Sequence, residues 1–413
     1  MGLKDHIIFI LGITKFDADI ESTSFTTAKY LARENDVYYI DYPYTLKDYV
    51  KEKKTDQYRK RQSSFFSLTH SLMGTDIERL KILVLPPVFP INFLKENRLY
   101  RLLLFINQDI IINRIKAVIK KQKISNYIFI NSFNFHYPDI GSRLKPKLSV
   151  YHCVDPIVID YDKRHGVKSE AIILKSSDLV VCTSKQLYIE KTSTNPNTYF
   201  IPNAADIEHC SRTLDVNLPV FSKIVDIPKP IVGYFGNIER RIDFSLLHKT
   251  AVRNSDISFV FAGPVNWNYV PVEFWKLDNV HFIGKVAYKE LPSVLKGFEV
   301  ATIPFKKDEV SSTIFPLKLF EYLGAGKPVV STDFNEDLKD YTDDSVIYCQ
   351  DAEGFHEGIH YALTLNGKGD INKRLQTAAN NTWEKRLAEF SALIAQYYEL
   401  KNSKEKIALH RTS

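Results

Sequence analysis

At 413 residues the chain exceeds what one hydrophobic core comfortably fills, so two domains are expected. With 44% hydrophobic and 25% charged residues the composition is that of a globular protein and excludes a disordered one. The 55 Lys plus Arg against 49 Asp plus Glu leave a net charge of +6, enough to favour anionic partners but too little to point to nucleic acid.

The chain opens on residues 7–11, an apolar run too short for a secretory h-region and without a small-residue cleavage site. Short apolar runs then alternate with helix-length segments, the pattern of parallel sheets covered by helices. In the first half, strands are predicted over 6–11, 37–41, 82–85, 127–131, 148–151, 179–183 and 199–201, with helical spacing over 26–33 and 169–176. The most apolar later stretch, 102–112, is broken by Asn107, Gln108 and Asp109, and no run reaches the roughly 18–20 apolar residues a bilayer span needs. Residues 206–230 lose periodicity and end in Pro228 and Pro230, as an interdomain connection would. A second series of strands follows over 231–235, 258–262, 280–283, 300–303, 328–331 and 346–349, and 383–399 is amphipathic and helical. The expected organisation is an N-terminal acceptor-side domain (1–205), a linker (206–230), a nucleotide-sugar domain (231–383) and a C-terminal helix and tail (384–413) that pack back on the first domain. Two doubly wound, Rossmann-like α/β domains would face each other across a cleft, ligands lying at the carboxyl ends of the strands. Cys153, Cys182, Cys210 and Cys349 form no CxxC pair and read as reduced thiols of a cytoplasmic protein, with no metal expected.

Three segments of the second half offer groups suited to an anion at a strand end. In Gly233-Tyr234-Phe235-Gly236-Asn237, followed by Arg240-Arg241, the glycines permit close backbone approach and a guanidinium fork can hold phosphate oxygens; a tight turn with two solvated arginines is the plainer reading. Gly263 and Gly284 each sit just past a strand, where a base or ribose could lie against the backbone; glycines are also routine in turns. The third runs from Thr313-Ile314-Phe315-Pro316 to Gly324-Ala325-Gly326-Lys327-Pro328. Pro316 suits the first position of a helix and the two glycines its end, so the helix would point its N-terminus, with free N–H groups and the positive end of its dipole, at the cleft. Lys318 and Glu321, three apart, share a face: a surface ion pair, or a cation for phosphate beside a carboxylate for ribose hydroxyls.

Together with Tyr151-His152-Cys153-Val154-Asp155, Ser177-Asp178-Leu179-Val180-Val181-Cys182-Thr183-Ser184, Ile201-Pro202-Asn203-Ala204-Ala205-Asp206, Arg241-Ile242-Asp243 and Asn381-Thr382-Trp383-Glu384, these segments resemble the retaining GT-B glycosyltransferases of glycosyltransferase family 4, in the branch that includes teichuronic-acid-type polysaccharide transferases. The resemblance implies transfer of a sugar from a UDP- or GDP-type nucleotide sugar, as co-substrate, to a glycan or lipid-linked acceptor, with no cofactor. It implies that Glu321 binds ribose, that Arg241, Lys318 and the N–H groups of Phe315 and Leu317 meet the diphosphate, and that Gly284 and Val286 neighbour the base. The chain departs from the family pattern where Thr313 replaces a glutamate eight positions before Glu321, Asn237 replaces an arginine, and Ala204-Ala205-Asp206 replaces Gly-Val-Asp. Sugar-nucleotide 2-epimerase and non-catalytic nucleotide-binding scaffold are the alternatives.

In the first half, His152 and Asp155 at a strand end are candidates to orient the acceptor hydroxyl, and His152 reads equally as a core histidine. Asp17-Ala18-Asp19 matches an Asp-x-Asp pattern but follows the first strand; with Gly12 it is expected to face the acceptor. The basic-apolar run 114–123 and the basic stretch 47–61 suggest contact with anionic lipid at the inner face of the plasma membrane, or a solvated helix face.

Overall fold

Continuous runs such as Ile7-Ile8-Phe9-Ile10-Leu11 fit only strands covered on both faces, and that is how they are built. The computed structural model describes residues 2–18, 22–67 and 70–412, the side chains of 405–412 excepted. It divides into two compact units, Met1–Ile201 with Leu387–Ser413, and Pro202–Arg386.

In the first unit the described residues form an eight-stranded sheet: β1 (Ile7–Leu11), β2 (Asp36–Ile40), β3 (Leu72–Gly74), β4 (Leu80–Leu83), β5 (Ile128–Ser132), β6 (Leu148–Cys153), β7 (Leu179–Cys182) and β8 (Thr198–Phe200). Its order is β3-β4-β2-β1-β5-β6-β7-β8, parallel except for β3 against β4. The unforeseen strand, β3, has three residues, too few to show alternation. The helix expected at 169–176 begins nine residues earlier, as Asp160–Ser176, because its first turns carry acidic and basic residues outward.

The second unit holds β9 (Ile231–Phe235), β10 (Ser258–Ala262), β11 (Val280–Gly284), β12 (Val300–Ile303), β13 (Val329–Thr332) and β14 (Val346–Cys349), parallel throughout in the order β11-β10-β9-β12-β13-β14. Gly233 in β9 makes room for Phe298, whose ring would lie 2.2 Å from an added Cβ.

Residues 206–230 are built into this unit rather than strung between domains. They include the helix Ile207–Ser211, the buried side chains of Cys210 and Ile224, and a hydrogen bond from Lys223 Nζ to the Ile283 carbonyl at 2.9 Å. Their apolar residues are irregularly spaced, which is why periodicity missed them. The last helix, Trp383–Thr412, lies on the first unit, where Leu387, Phe390 and Ile394 are buried. Ser391 Oγ accepts from the Leu3 amide at 2.8 Å and Lys401 pairs with Asp178 at 2.6 Å. No helix among the described residues is long and apolar enough to cross a membrane.

Candidate functional site

In the second sheet the strand order reverses between β9 and β12, and open α/β sheets bind ligands outside the carboxyl ends of strands at such a switch point. Three of the glycines singled out in the sequence are stacked there. The Gly236 amide donates to the Ala262 carbonyl at 2.9 Å and the Gly263 amide to the Gly284 carbonyl at 2.8 Å. Gly236 (φ +142°), Gly263 (φ +146°) and Gly284 (φ +78°) all hold backbone conformations that side-chain-bearing residues rarely adopt. A Cβ on Gly263 would stand 2.0 Å from the Gly236 carbonyl oxygen, so these two loop ends touch through bare backbone.

Above them two cations share an aromatic floor. Lys318 Nζ donates to the Tyr234 hydroxyl at 2.6 Å and lies 4.2 Å and 5.1 Å from the Tyr234 and Phe305 ring centroids. The Tyr234 hydroxyl donates in turn to the Asn237 carbonyl at 3.0 Å, while the Asn237 side chain is exposed. The Arg241 guanidinium sits 5.8 Å from the same Phe305 ring and is paired with Glu239. Among the described residues no carboxylate hydrogen-bonds Lys318. Burial above all, and then the neighbouring Arg241 charge, pull the Lys318 ammonium down to about 7, against the pull of Glu321 and Glu239. Incompletely neutralised positive charge with open strand ends beside it is a place for an anion.

Lys318 and Glu321 come from the helix Leu317–Gly324. Pro316, expected as its first residue, is its N-cap, and no side chain caps its first turn. Phe315 precedes it, buried and stacked on Phe320, with its carbonyl accepting from Asn203 Nδ2 at 3.4 Å; Leu317 is half-buried. The helix closes as a Schellman motif, Lys327 N–H to the Tyr322 carbonyl at 3.0 Å and Gly326 N–H to that of Leu323 at 2.9 Å, with Gly326 at φ +71°. Glu321 is 7% exposed and accepts from the Tyr288 hydroxyl at 2.9 Å. Burial raises its carboxyl, and the Tyr288 bond and Lys318 oppose that rise. Thr313, where a carboxylate was expected, is buried and turns its hydroxyl back to the Val310 carbonyl at 2.7 Å. Val286 packs half-buried on the core of the same unit, two residues past Gly284.

The remaining sequence candidates belong to the first unit. His152 is buried in β6, 3.4 Å from Ser132 Oγ through Nδ1 and 4.9 Å from the Phe390 ring, and burial holds its pKa at about 4. That environment is a core histidine's. Asp155 is exposed just past β6. Gly12 is pinned by packing: an added Cβ would meet the Tyr39 hydroxyl at 2.3 Å and Ser24 Oγ at 2.7 Å. Asp17 is bound to Arg61 at 2.6 Å, and Arg61 is fully buried and also bound to Asp41 at 2.5 Å. The Asp17 carboxylate is therefore committed to a guanidinium rather than open to an acceptor; Asp19 lies outside the described residues. Arg114, the head of the basic run, is buried too and donates to the Phe65 carbonyl at 2.5 Å and to that of Ser67. In that run Ile115 and Val118 fill the core and Lys116, Lys120, Lys121 and Lys123 stay exposed, so it presents no apolar face.

Sequence reading missed Tyr234, Phe305 and Tyr288. Tyr234 stood inside a quoted motif, whereas Phe305 lies just past β12 and Tyr288 opens the short 3-10 helix Tyr288–Glu290, neither with a local signal.

Residues 229–364 match the family described as glycosyl transferases group 1, and the second unit thus carries a glycosyltransferase group 1 domain. Over 212 residues the chain is 29% identical to TuaH of Bacillus subtilis (strain 168), named as a teichuronic acid biosynthesis glycosyltransferase, the match covering 48% of this chain and 53% of that one. The chain spans about half the length of this curated relative. Among solved structures, an alpha,alpha-trehalose-phosphate synthase (UDP-forming) from Burkholderia vietnamiensis aligns at TM-score 0.68 and 8% identity, covering 98% of this chain and 99% of that one. Sucrose-phosphate synthase from Thermosynechococcus elongatus aligns at TM-score 0.64 and 14% identity, covering 96% and 100%. Anabaena Alr3699/HepE, in complex with UDP and glucose, aligns at TM-score 0.60 and 11% identity, covering 95% and 99%. These likenesses establish the fold as that of the GT-B glycosyltransferases.

Proposed function

We propose that this protein transfers a sugar from a nucleoside-diphosphate sugar, of UDP or GDP type, to an acceptor hydroxyl in the synthesis of a cell-surface polysaccharide or glycolipid, with retention of anomeric configuration. The observation that carries the reading is the Lys318–Arg241 pair over the Tyr234–Phe305 floor at the switch point of a glycosyltransferase group 1 domain, with Lys318 on the helix that bears Glu321. As the bond from the anomeric carbon to the phosphate oxygen breaks, its electron pair stays on the departing diphosphate. Lys318, Arg241 and the uncapped start of the Leu317–Gly324 helix meet that charge, and no cofactor beyond the co-substrate is needed. The acceptor oxygen forms the new bond to the anomeric carbon, and its proton passes to an oxygen of the departing diphosphate. The teichuronic-acid name of the B. subtilis relative and the UDP bound by Anabaena Alr3699/HepE support substrates of these classes.

The test is a thermal-shift series with UDP, GDP and ADP on the wild type and on Glu321→Ala. A nucleotide at about 100 times its Kd adds about 2.7 kcal/mol to the stability of the form that binds it. The wild type is expected to shift with UDP or GDP and Glu321→Ala to lose most of the shift. An equal shift in both would remove Glu321 from the site, and no shift in either would remove the nucleotide from this unit and overturn the donor-site reading.

We further propose that the first unit rests on anionic lipid through its 47–60 surface. Lys47, Lys51, Lys53, Lys54, Arg59 and Lys60 are exposed there beside Leu46, Val50 and Phe66, which are 42%, 65% and 67% exposed. Each basic residue near an anionic bilayer contributes about 1 kcal/mol. Combined Lys51→Glu, Lys53→Glu and Lys54→Glu changes should therefore abolish low-salt co-sedimentation with vesicles containing phosphatidylglycerol. Unchanged sedimentation would rule this surface out.

A further inference from the structure

Glu321 is held by residues from two other segments of the second unit. Tyr288, four residues past Gly284, donates its hydroxyl to Oε1 of Glu321 at 2.9 Å. His209 donates from Nε2 to the Tyr288 carbonyl at 3.0 Å, and the two rings stack with centroids 4.8 Å apart. Asp206 caps the short helix Ile207–Ser211 through the His209 amide at 3.0 Å. Ile207 of that helix packs on Gly324 so closely that an added Cβ would lie 3.1 Å from Ile207 Cδ1. Segments near 206, 288 and 321 are thus locked together around one buried carboxylate. Its second oxygen, Oε2, takes no hydrogen bond among the described residues. Burial, and then the charge of Glu321, keep the Tyr288 phenol far above its ordinary range, so it remains a donor at any working pH.

We propose that Tyr288 is a positioning residue for the donor nucleotide: it fixes Oε1 of Glu321 so that Oε2 meets the ribose hydroxyls, and His209 fixes Tyr288 in turn. The inference rests on the donor-site reading above. The geometry favours positioning because Tyr288 is itself anchored by His209 at its main chain and ring, so it does not have to leave for Oε2 to be used. A carboxylate fixed in advance loses less freedom on binding, which strengthens the contact it makes.

The test is isothermal titration of UDP and GDP, each as the ribonucleotide and as the 2′,3′-dideoxy form, into the wild type, Tyr288→Phe and Glu321→Gln. Phenylalanine keeps the ring on His209 and removes only the hydroxyl. The wild type should prefer the ribonucleotide. Tyr288→Phe should weaken ribonucleotide binding by about tenfold, as expected for losing a hydrogen bond to a charged group, and leave the dideoxy form unchanged. Tyr288→Phe binding the ribonucleotide more tightly would show the hydroxyl to be a stand-in for ribose that must be displaced, and would overturn the inference. An equal loss for both forms would show a general structural role and overturn it too. If the wild type binds neither nucleotide, or binds both forms alike, the donor-site reading itself falls and this inference with it.

Discussion

Lys318→Ala should lower turnover of a nucleoside-diphosphate sugar by about 100–1,000-fold, the usual effect of removing one preorganised donor from developing charge. The size of the effect follows from where the ammonium sits. It is not tied up by a carboxylate; its hydrogen bond goes to the Tyr234 hydroxyl, and its other neighbours are the faces of two aromatic rings and the Arg241 charge. A diphosphate would supply the neutralisation the protein withholds. The same setting gives a pH signature. Because burial and Arg241 bring Lys318 down to about 7, the empty protein loses this positive charge as pH rises through neutrality. An anion favours the charged form, so binding takes up a proton and nucleotide affinity should fall as pH rises above about 7. Lys318→Ala should flatten that slope, and Arg241→Ala, by removing a like charge, should move the break to higher pH. Steady-state rates and nucleotide titrations from pH 6 to 9 read both. Wild-type turnover with an unchanged pH profile in Lys318→Ala would remove this lysine from the diphosphate.

Arg61→Leu should cost the first unit about 3–5 kcal/mol, the range for stripping one partner from a buried ion pair. Arg61 is fully buried, and it holds Asp41, itself 2% exposed, at 2.5 Å and Asp17 at 2.6 Å. The two carboxylates respond differently to it. Burial raises Asp41 more than the guanidinium can offset, while at the more open Asp17 the upward pull of burial is overcome by Arg61 and Lys60 together and the carboxyl is held low. Without Arg61, Asp41 is left charged in the interior or must take up a proton. A carboxyl raised in the folded state binds more protons there than in the unfolded chain, so the variant's stability falls as pH rises through that window. The deficit should therefore be largest at neutral pH and shrink toward the carboxylate range, as measured by urea unfolding between pH 4.5 and 7.5. Adding Asp41→Asn should recover part of the loss. A deficit below about 1 kcal/mol at pH 7 would mean that the ion cluster contributes no more than an exposed pair.

The parts read directly from sequence are those whose cause is local. Strands β9, β10, β12 and β14 fall on their predicted residues because each is a short apolar run bounded by turn residues, and burial on both faces leaves no competing pattern. Gly236, Gly263 and Gly284 were singled out for backbone approach, and all three occupy positive φ at neighbouring strand ends. Lys318 and Glu321 were paired by helical spacing alone.

Other features depended on partners distant in the chain. No local pattern announces that Tyr288 reaches Glu321, that Arg61 and Arg114 turn inward, or that Asp17 is already taken. Charged residues are ordinarily solvated, so a basic stretch reads as surface until the fold supplies an acid or a row of carbonyls to bury it against. The alternation of strand and helix is written residue by residue, and it determined the fold class and the strand ends where the candidate site lies. Which side chains meet there, and which charges are spent inside the core, is settled by packing between segments tens to hundreds of residues apart, because hydrogen bonds and desolvation act over a few ångströms of space rather than along the chain.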